Sequence, residues 1–131
     1  MLSGSEMGGD MSDKKKILIV DDEVGIIDEI RDFLTEEGYE VKTADTVKAG
    51  IALVTEFKPD VLIVDMKLPD ASGIDVLRVC RNELPNTKTM VVTGYVDQKV
   101  MDEAENMGRD MFLQKPFDLV TLIEEIEKFL S

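Results

Sequence analysis

The sequence predicts an α/β fold: a five-stranded parallel sheet, doubly wound with helices on both faces. Three observations predict it. Short apolar, β-branched runs recur along the chain, longer segments with helical spacing alternate with them, and glycines close helical patterns just before strands. The first run is ILIV at 17–20; Ile26, Ile30, Phe33 and Leu34 then fall at i, i+4, i+7 and i+8, a one-face helical stripe that ends at Gly38. YEVKTA at 39–44 is the second strand, and Val47, Ile51 and Val54 mark the next helix. VLIV at 61–64 is the third strand. The segment from Gly73 to about Asn82 carries only a partial stripe, Ile74, Leu77 and Cys80, before Pro85 cuts it short, so a helix is favoured there over a long loop. TMVVT at 89–93, a helix over Val100, Ala104 and Met107 closed by Gly108, and the weaker MFL at 111–113 follow. The final segment is the clearest amphipathic helix, with Leu119, Leu122, Ile123, Ile126 and Leu130 on one stripe and Glu124, Glu125, Glu127 and Lys128 off it. Continuous apolar runs suit strands covered on both faces, and strand–helix alternation implies right-handed crossovers with a ligand crevice at the carboxyl ends of the strands.

Composition bounds the function. A chain of 131 residues fits one domain, and 44% hydrophobic with 33% charged residues is a globular balance. Lys and Arg number 15 against 28 Asp and Glu, and the net charge of -13 repels a nucleic-acid duplex or an anionic membrane surface. No apolar run approaches the roughly 18 residues of a membrane span, and a single cysteine, Cys80, cannot form an internal disulfide; a soluble, cytoplasmic protein is expected. The absence of histidine removes Ser-His and Cys-His catalysis and histidine metal sites together. Residues 1–13 (MLSGSEMGGDMSD) lack periodicity and read as a disordered leader or expression scar, leaving 14–131 as the folded domain.

The residues that follow the strands converge. Asp21 and Asp22 follow the first strand, Asp65 the third, Thr93 and Gly94 close the fourth, and Lys115-Pro116 follow the fifth. Taken singly, each has a plainer explanation: an Asp after a strand is usually a turn residue or helix cap, and a Lys is usually a solvated charge. Taken together, four strands would have to place such residues on one sheet edge by accident. Three close carboxylates repel one another unless a proton or cation intervenes, and an all-oxygen donor set of this size suits Mg²⁺. Mg²⁺ and the lysine would neutralise charge developing on a phosphoryl group while a carboxylate attacks phosphorus.

Four segments, ILIVDDE at 17–23, VLIVDMKLPDASG at 61–73, VVTGY at 91–95 and LQKPFDL at 113–119, together resemble the response-regulator receiver domain of two-component signalling. The resemblance spans about 14–131 and implies a flavodoxin-like (βα)5 sandwich. It implies Asp65 as phosphoacceptor, with Asp22 and Asp65 ligating Mg²⁺ directly, Asp21 acting through water and the main-chain carbonyl of Lys67 completing the protein ligands. Lys115 would contact the phosphoryl group, Thr93 would be the switch hydroxyl, and Phe112 the aromatic that reorients with it; plain core packing is the alternative for Phe112. Lys67 and Tyr95 occupy positions that tune phosphoryl lifetime. The phosphoryl donor would be a sensor histidine kinase or a histidine phosphotransfer protein, and the output face would run over 97–131 toward a downstream protein. Such a domain catalyses its own phosphorylation and dephosphorylation and is a signalling phosphoacceptor rather than a conventional enzyme. The DMKLP and KPFD runs are similar to single-domain sporulation phosphorelay and chemotaxis-type receivers and to those of enhancer-binding regulators.

Other readings fit less well. A flavodoxin-type electron carrier calls for a Ser/Thr/Gly-rich first loop, and DDEVG is its electrostatic opposite. An aspartyl phosphatase brackets its nucleophile with an acid on the same loop, whereas Asp21 and Asp22 adjoin each other. An inert receiver-like interaction module is disfavoured by the intact set of acids, hydroxyl and lysine. Because the sequence stops just after the last helix, a stand-alone receiver and one excised from a longer DNA-binding regulator are both expected forms.

Overall fold

The computed structural model describes residues 14–94 and 97–130, so the expected leader and Tyr95 lie outside the described residues. The apolar runs form β1 (Lys16–Val20), β2 (Glu40–Ala44), β3 (Val61–Val64), β4 (Lys88–Thr93) and β5 (Met111–Gln114). Between and after them lie α1 (Val24–Glu36), α2 (Val47–Phe57), α3 (Ile74–Glu83), α4 (Gln98–Asn106) and α5 (Leu119–Leu130). The strands make one parallel sheet in the order β2-β1-β3-β4-β5. This is the doubly wound sandwich the sequence predicts, and the segment after Gly73 is a helix. No helix among the described residues is long and apolar enough to cross a membrane.

Strand alternation divides the core into two layers. Ile17, Ile19, Val61, Ile63, Met90 and Val92 pack with Ile27, Ile30 and Leu34 of α1 and Leu122, Ile123 and Ile126 of α5. Their neighbours Leu18, Val20, Leu62, Val64 and Val91 point the other way, onto Val54 of α2, Leu77 and Cys80 of α3 and Ala104 of α4. Burial on both faces is the reason these strands read as unbroken apolar runs. The α1 stripe differs from expectation at one position: Phe33 is 37% exposed and Ile27 takes the buried place, a rotation of the helix toward its i, i+3, i+7 face. Ile51, Val100 and Met107 are only partly buried at the core margin, and α4 buries Ala104 alone completely among its described residues.

Glycine caps end two helices where the sequence places them. Gly38 has φ +99°, with Gly38 N–H donating to the Thr35 carbonyl and Tyr39 N–H to the Leu34 carbonyl, both at 3.1 Å. Gly108, at φ +84°, repeats the arrangement with Glu105 and Ala104. These are Schellman closures, in which a residue with a Cβ is strained. Polar groups at the amino edge of the sheet are bound locally. Lys16 N–H donates to Asp60 Oδ2 at 2.8 Å, the buried Thr87 hydroxyl donates to the Pro59 carbonyl at 2.6 Å, and Thr89 N–H donates to Asp110 Oδ2 at 2.9 Å.

Urea denaturation tests this packing. Ile126→Ala, at a fully buried site, is expected to cost about 2–5 kcal/mol, whereas Val120→Ala, at a residue 66% exposed, stays within about 0.5 kcal/mol of the parent. Gly38→Ala should cost about 1–2 kcal/mol through its left-handed backbone; a loss near zero would contradict the capping role.

Candidate functional site

The sheet order creates a crevice. The chain leaves β1 through α1 on one face and leaves β3 through α3 on the other, so their carboxyl ends open between diverging connections. Val20 and Val64 pair in register, and Asp65 N–H donates to the Val20 carbonyl at 2.9 Å, which places the acids after both strands side by side. Thr93 pairs with Gln114, and Lys115 N–H donates to the Thr93 carbonyl at 3.0 Å, bringing hydroxyl and lysine to the same edge. The Lys115–Pro116 peptide is cis.

Asp21, Asp22 and Asp65 each present a carboxylate oxygen within 4.8 Å of the others. Asp21 and Asp65 are buried and Asp22 is exposed. Lys115 Nζ reaches between them, 2.7 Å from Asp21 Oδ2 and 3.0 Å from Asp65 Oδ2, and also donates to Glu23. The second oxygens are held by backbone: Asp21 Oδ1 accepts from Glu23 N–H at 3.0 Å and Asp65 Oδ1 from Lys67 N–H at 3.1 Å. Buried charges of this kind persist only when paired and hydrogen-bonded, as these are. Thr93 is fully buried, and with Gly94, Lys67 and Lys115 it lines a cleft of about 770 Å³. Ile26, Ile30, Leu68, Pro69, Phe117 and Leu119 give the same cleft an apolar part of its lining.

Phe112 stands apart from the acids. It pairs with Val91 on β4 and packs, half-buried, against the α2–α4 layer, with the Arg109 guanidinium 5.7 Å from its ring centroid. Met90 and Val92 face the α1 and α5 layer while Val91 faces the other, so Thr93 and Phe112 share one face of the sheet.

Three further contributors are not among the site residues that the sequence singles out. Gly73 begins α3 so close to the acid site that a Cβ would lie 1.9 Å from the Asp65 carbonyl oxygen, and its N–H donates to the Met66 carbonyl at 2.8 Å. Asp70 reaches across to cap α2, accepting from Val47 N–H at 2.8 Å and Lys48 N–H at 3.1 Å, and so ties the loop after Asp65 to a second helix. Glu23, at the N-cap of α1, joins the lysine. The first two contacts are tertiary and leave no local signal; for Glu23, a glutamate in a position that favours Ser, Thr, Asp or Asn is the one available clue.

The electrostatics follow from burial and pairing. For Lys115, burial opposes the charge, but hydrogen bonds to Asp21, Glu23 and Asp65 outweigh it and hold the ammonium above the ordinary lysine range. For Asp21, burial pushes the carboxyl above its usual range, against the hydrogen bonds from Lys115 and Glu23, and the nearby Asp65 charge adds to the rise. Ionised Asp21 therefore costs stability above its folded pKa, a cost that vanishes below the unfolded-state value of about 4. Asp21→Asn is expected to be more stable than the parent in urea melts at pH 7, with the gain shrinking toward zero below about pH 4; equal or lower stability at pH 7 would contradict this.

Residues 17–127 match the response regulator receiver domain family. Sporulation initiation phosphotransferase F of Bacillus subtilis is 30% identical over 116 residues, covering 88% of this chain and 94% of that protein. Chemotaxis protein CheY of Thermotoga maritima is 31% identical over 115 residues, covering 87% and 96%. The transcriptional regulatory protein FixJ of Rhizobium meliloti is 34% identical over 110 residues, and there the chain spans 54% of the relative's length. A CheY-like response regulator receiver domain from Methanospirillum hungatei superposes with a TM-score of 0.86 at 35% identity, covering 89% of this chain and 94% of that one. With the match running through every strand and helix that positions the acid cleft, the chain belongs to the response regulator receiver family.

Proposed function

We propose that this receiver accepts a phosphoryl group on Asp65, in a Mg²⁺-dependent reaction, from a phosphohistidine of a sensor histidine kinase or a histidine phosphotransfer protein. The observation that carries this reading is the meeting of three carboxylates and one lysine ammonium at the carboxyl ends of adjacent strands. The chain has no histidine, so the donor belongs to another protein. In the transfer, an Asp65 oxygen attacks phosphorus in line, the P–N bond to the donor imidazole breaks, and an acyl phosphate forms.

The donor set suits Mg²⁺. All the ligands are hard oxygens, and three acids against one ammonium leave two negative charges in excess, which one divalent ion would offset. Asp22, Asp65 and the main-chain carbonyl of Lys67 would hold the ion, with Asp21 acting through water. When bound, the ion neutralises charge on the transferring phosphoryl oxygens. Lys115, already within 3.0 Å of Asp65, is placed to hold a phosphoryl oxygen. The product adds a charge of about -1.5 to -2 and three acceptor oxygens. Thr93 is the hydroxyl that turns toward them, and Phe112, on the same sheet face, is the aromatic that follows. Its half-buried place beside sparsely buried α4 gives it room to move. The face over 97–131 then presents the changed surface to a downstream protein. The same site hydrolyses the acyl phosphate, so the receiver catalyses both its phosphorylation and its dephosphorylation. Lys67 and Tyr95 shield the bond from water. The net charge of -13 supports a protein partner over nucleic acid, and the single buried cysteine supports a cytoplasmic setting. Residues 14–131 form the receiver and 1–13 a leader.

Intact-mass measurement after incubation with acetyl phosphate tests the central step. One phosphoryl group is expected on the parent with Mg²⁺, and none without metal or on Asp65→Asn. Labelling of Asp65→Asn, or none of the parent under conditions that preserve acyl phosphates, would overturn the reading and favour an inert interaction module. Once phosphorylated, Lys67→Ala and Tyr95→Ala should lose the group faster than the parent; unchanged decay in both would remove their shielding role.

A further inference from the structure

We infer that Glu23 is a displaceable carboxylate that occupies Lys115 until the phosphoryl group arrives and then releases it. The inference rests on the phosphoacceptor reading of Asp65 given above. A lysine ammonium has three N–H donors and no acceptor. In this structure all three have partners: Asp21 Oδ2 at 2.7 Å, Asp65 Oδ2 at 3.0 Å, and the Glu23 carboxylate. A phosphoryl group on Asp65 turns that carboxylate into an acyl phosphate, so the donor facing Asp65 passes to one phosphoryl oxygen, and a second phosphoryl oxygen can be taken well only by giving up Asp21 or Glu23.

Exposure decides which partner leaves. The Asp21 side chain is 4% exposed, and releasing it would strand a buried carboxylate away from the ammonium. The Glu23 side chain is 51% exposed, so on release water solvates it at little cost. A second observation agrees. Glu23 is the N-cap residue of α1, where a side-chain oxygen ordinarily accepts a helix N–H, yet it makes no capping hydrogen bond and donates its position to the lysine contact instead. Its backbone serves the site as well, since Glu23 N–H donates to Asp21 Oδ1 and the Glu23 carbonyl accepts from Ile27 N–H, both at 3.0 Å. The carboxylate is thus separable from the backbone role, and substituting the side chain leaves the start of α1 in place.

Glu23 therefore acts as a positioning residue through Lys115. It holds one donor of the ammonium and must be displaced before Lys115 can take a second phosphoryl oxygen. The test follows phosphorylation by acetyl phosphate at saturating Mg²⁺, in which the P–O bond to acetate breaks, an Asp65 O–P bond forms and acetate leaves. Glu23→Gln, which keeps the shape and removes the charge, is expected to phosphorylate about two- to fivefold faster than the parent, the range of a half-exposed ion pair. The gain is expected to disappear when Lys115→Met is the background for both measurements, an interdependence that an effect on helix structure alone would not produce. A Glu23→Gln rate equal to or below the parent's, or a gain of the same size without Lys115, overturns this inference while leaving the role of Asp65 intact. Failure of the parent to become phosphorylated at all overturns the reading beneath it, and this inference with it.

Discussion

The Lys115 ammonium, held at the carboxyl edge of the sheet by Asp21 and Asp65, is the interaction on which the site depends. Both acids are buried and paired through it, and the lysine, whose own side chain is only 10% exposed, is paired through them. The three residues come from the ends of β1, β3 and β5, far apart in the chain, so no local segment can build this arrangement. It exists because the sheet order places β1 beside β3, and β4 between β3 and β5. The balance is incomplete by design of the residue types. With Asp22 added, the cluster holds more negative charge than one lysine offsets, so a divalent ion bound there would change its balance strongly.

Among the described residues, the carboxyl edge gathers the buried acids and the lysine at one cleft. Both faces of the central strands are covered, leaving the strand ends as the places where polar groups can collect. At the amino edge the polar groups are used up within the fold, in the contacts of Asp60, Thr87 and Asp110. At the carboxyl edge the loop after Asp65 is fixed from two directions, by Gly73 packed under the Asp65 carbonyl and by Asp70 on the start of α2. Such bracing fixes the Asp65 carboxylate, while α4 buries only Ala104 fully among its described residues. On the proposed reading, a fixed Asp65 and a loosely packed α4 would be complementary requirements of a switch.

Much of this was legible in the sequence, and the parts that were not share a cause. The strands could be read because burial on two faces leaves unbroken apolar runs, and the two Schellman glycines because positive φ selects glycine. Asp21, Asp22, Asp65, Thr93 and Lys115 could be placed on one edge because each directly follows or ends a strand, and parallel pairing aligns those ends. Phe33 was misplaced because Ile26, Ile27, Ile30, Phe33 and Leu34 allow two apolar stripes one position apart, and only packing against α5 and the sheet selects between them. Gly73, Asp70 and the side chain of Glu23 escaped notice because their partners lie on other elements. Their roles arise from tertiary distance, which periodicity does not encode.

The central claim is that the ends of β1, β3, β4 and β5 form one responsive charge cluster linked to the α4 face. Amide chemical-shift mapping by NMR, with Mg²⁺ and the phosphoryl mimic beryllofluoride added in turn, tests it most directly. Mg²⁺ alone should move resonances around Asp21, Asp22 and Asp65, and beryllofluoride should add shifts at Thr93 and Lys115 that extend to Phe112 and α4. Shifts absent from the strand ends, or confined there with α4 and Phe112 unmoved, would contradict the account.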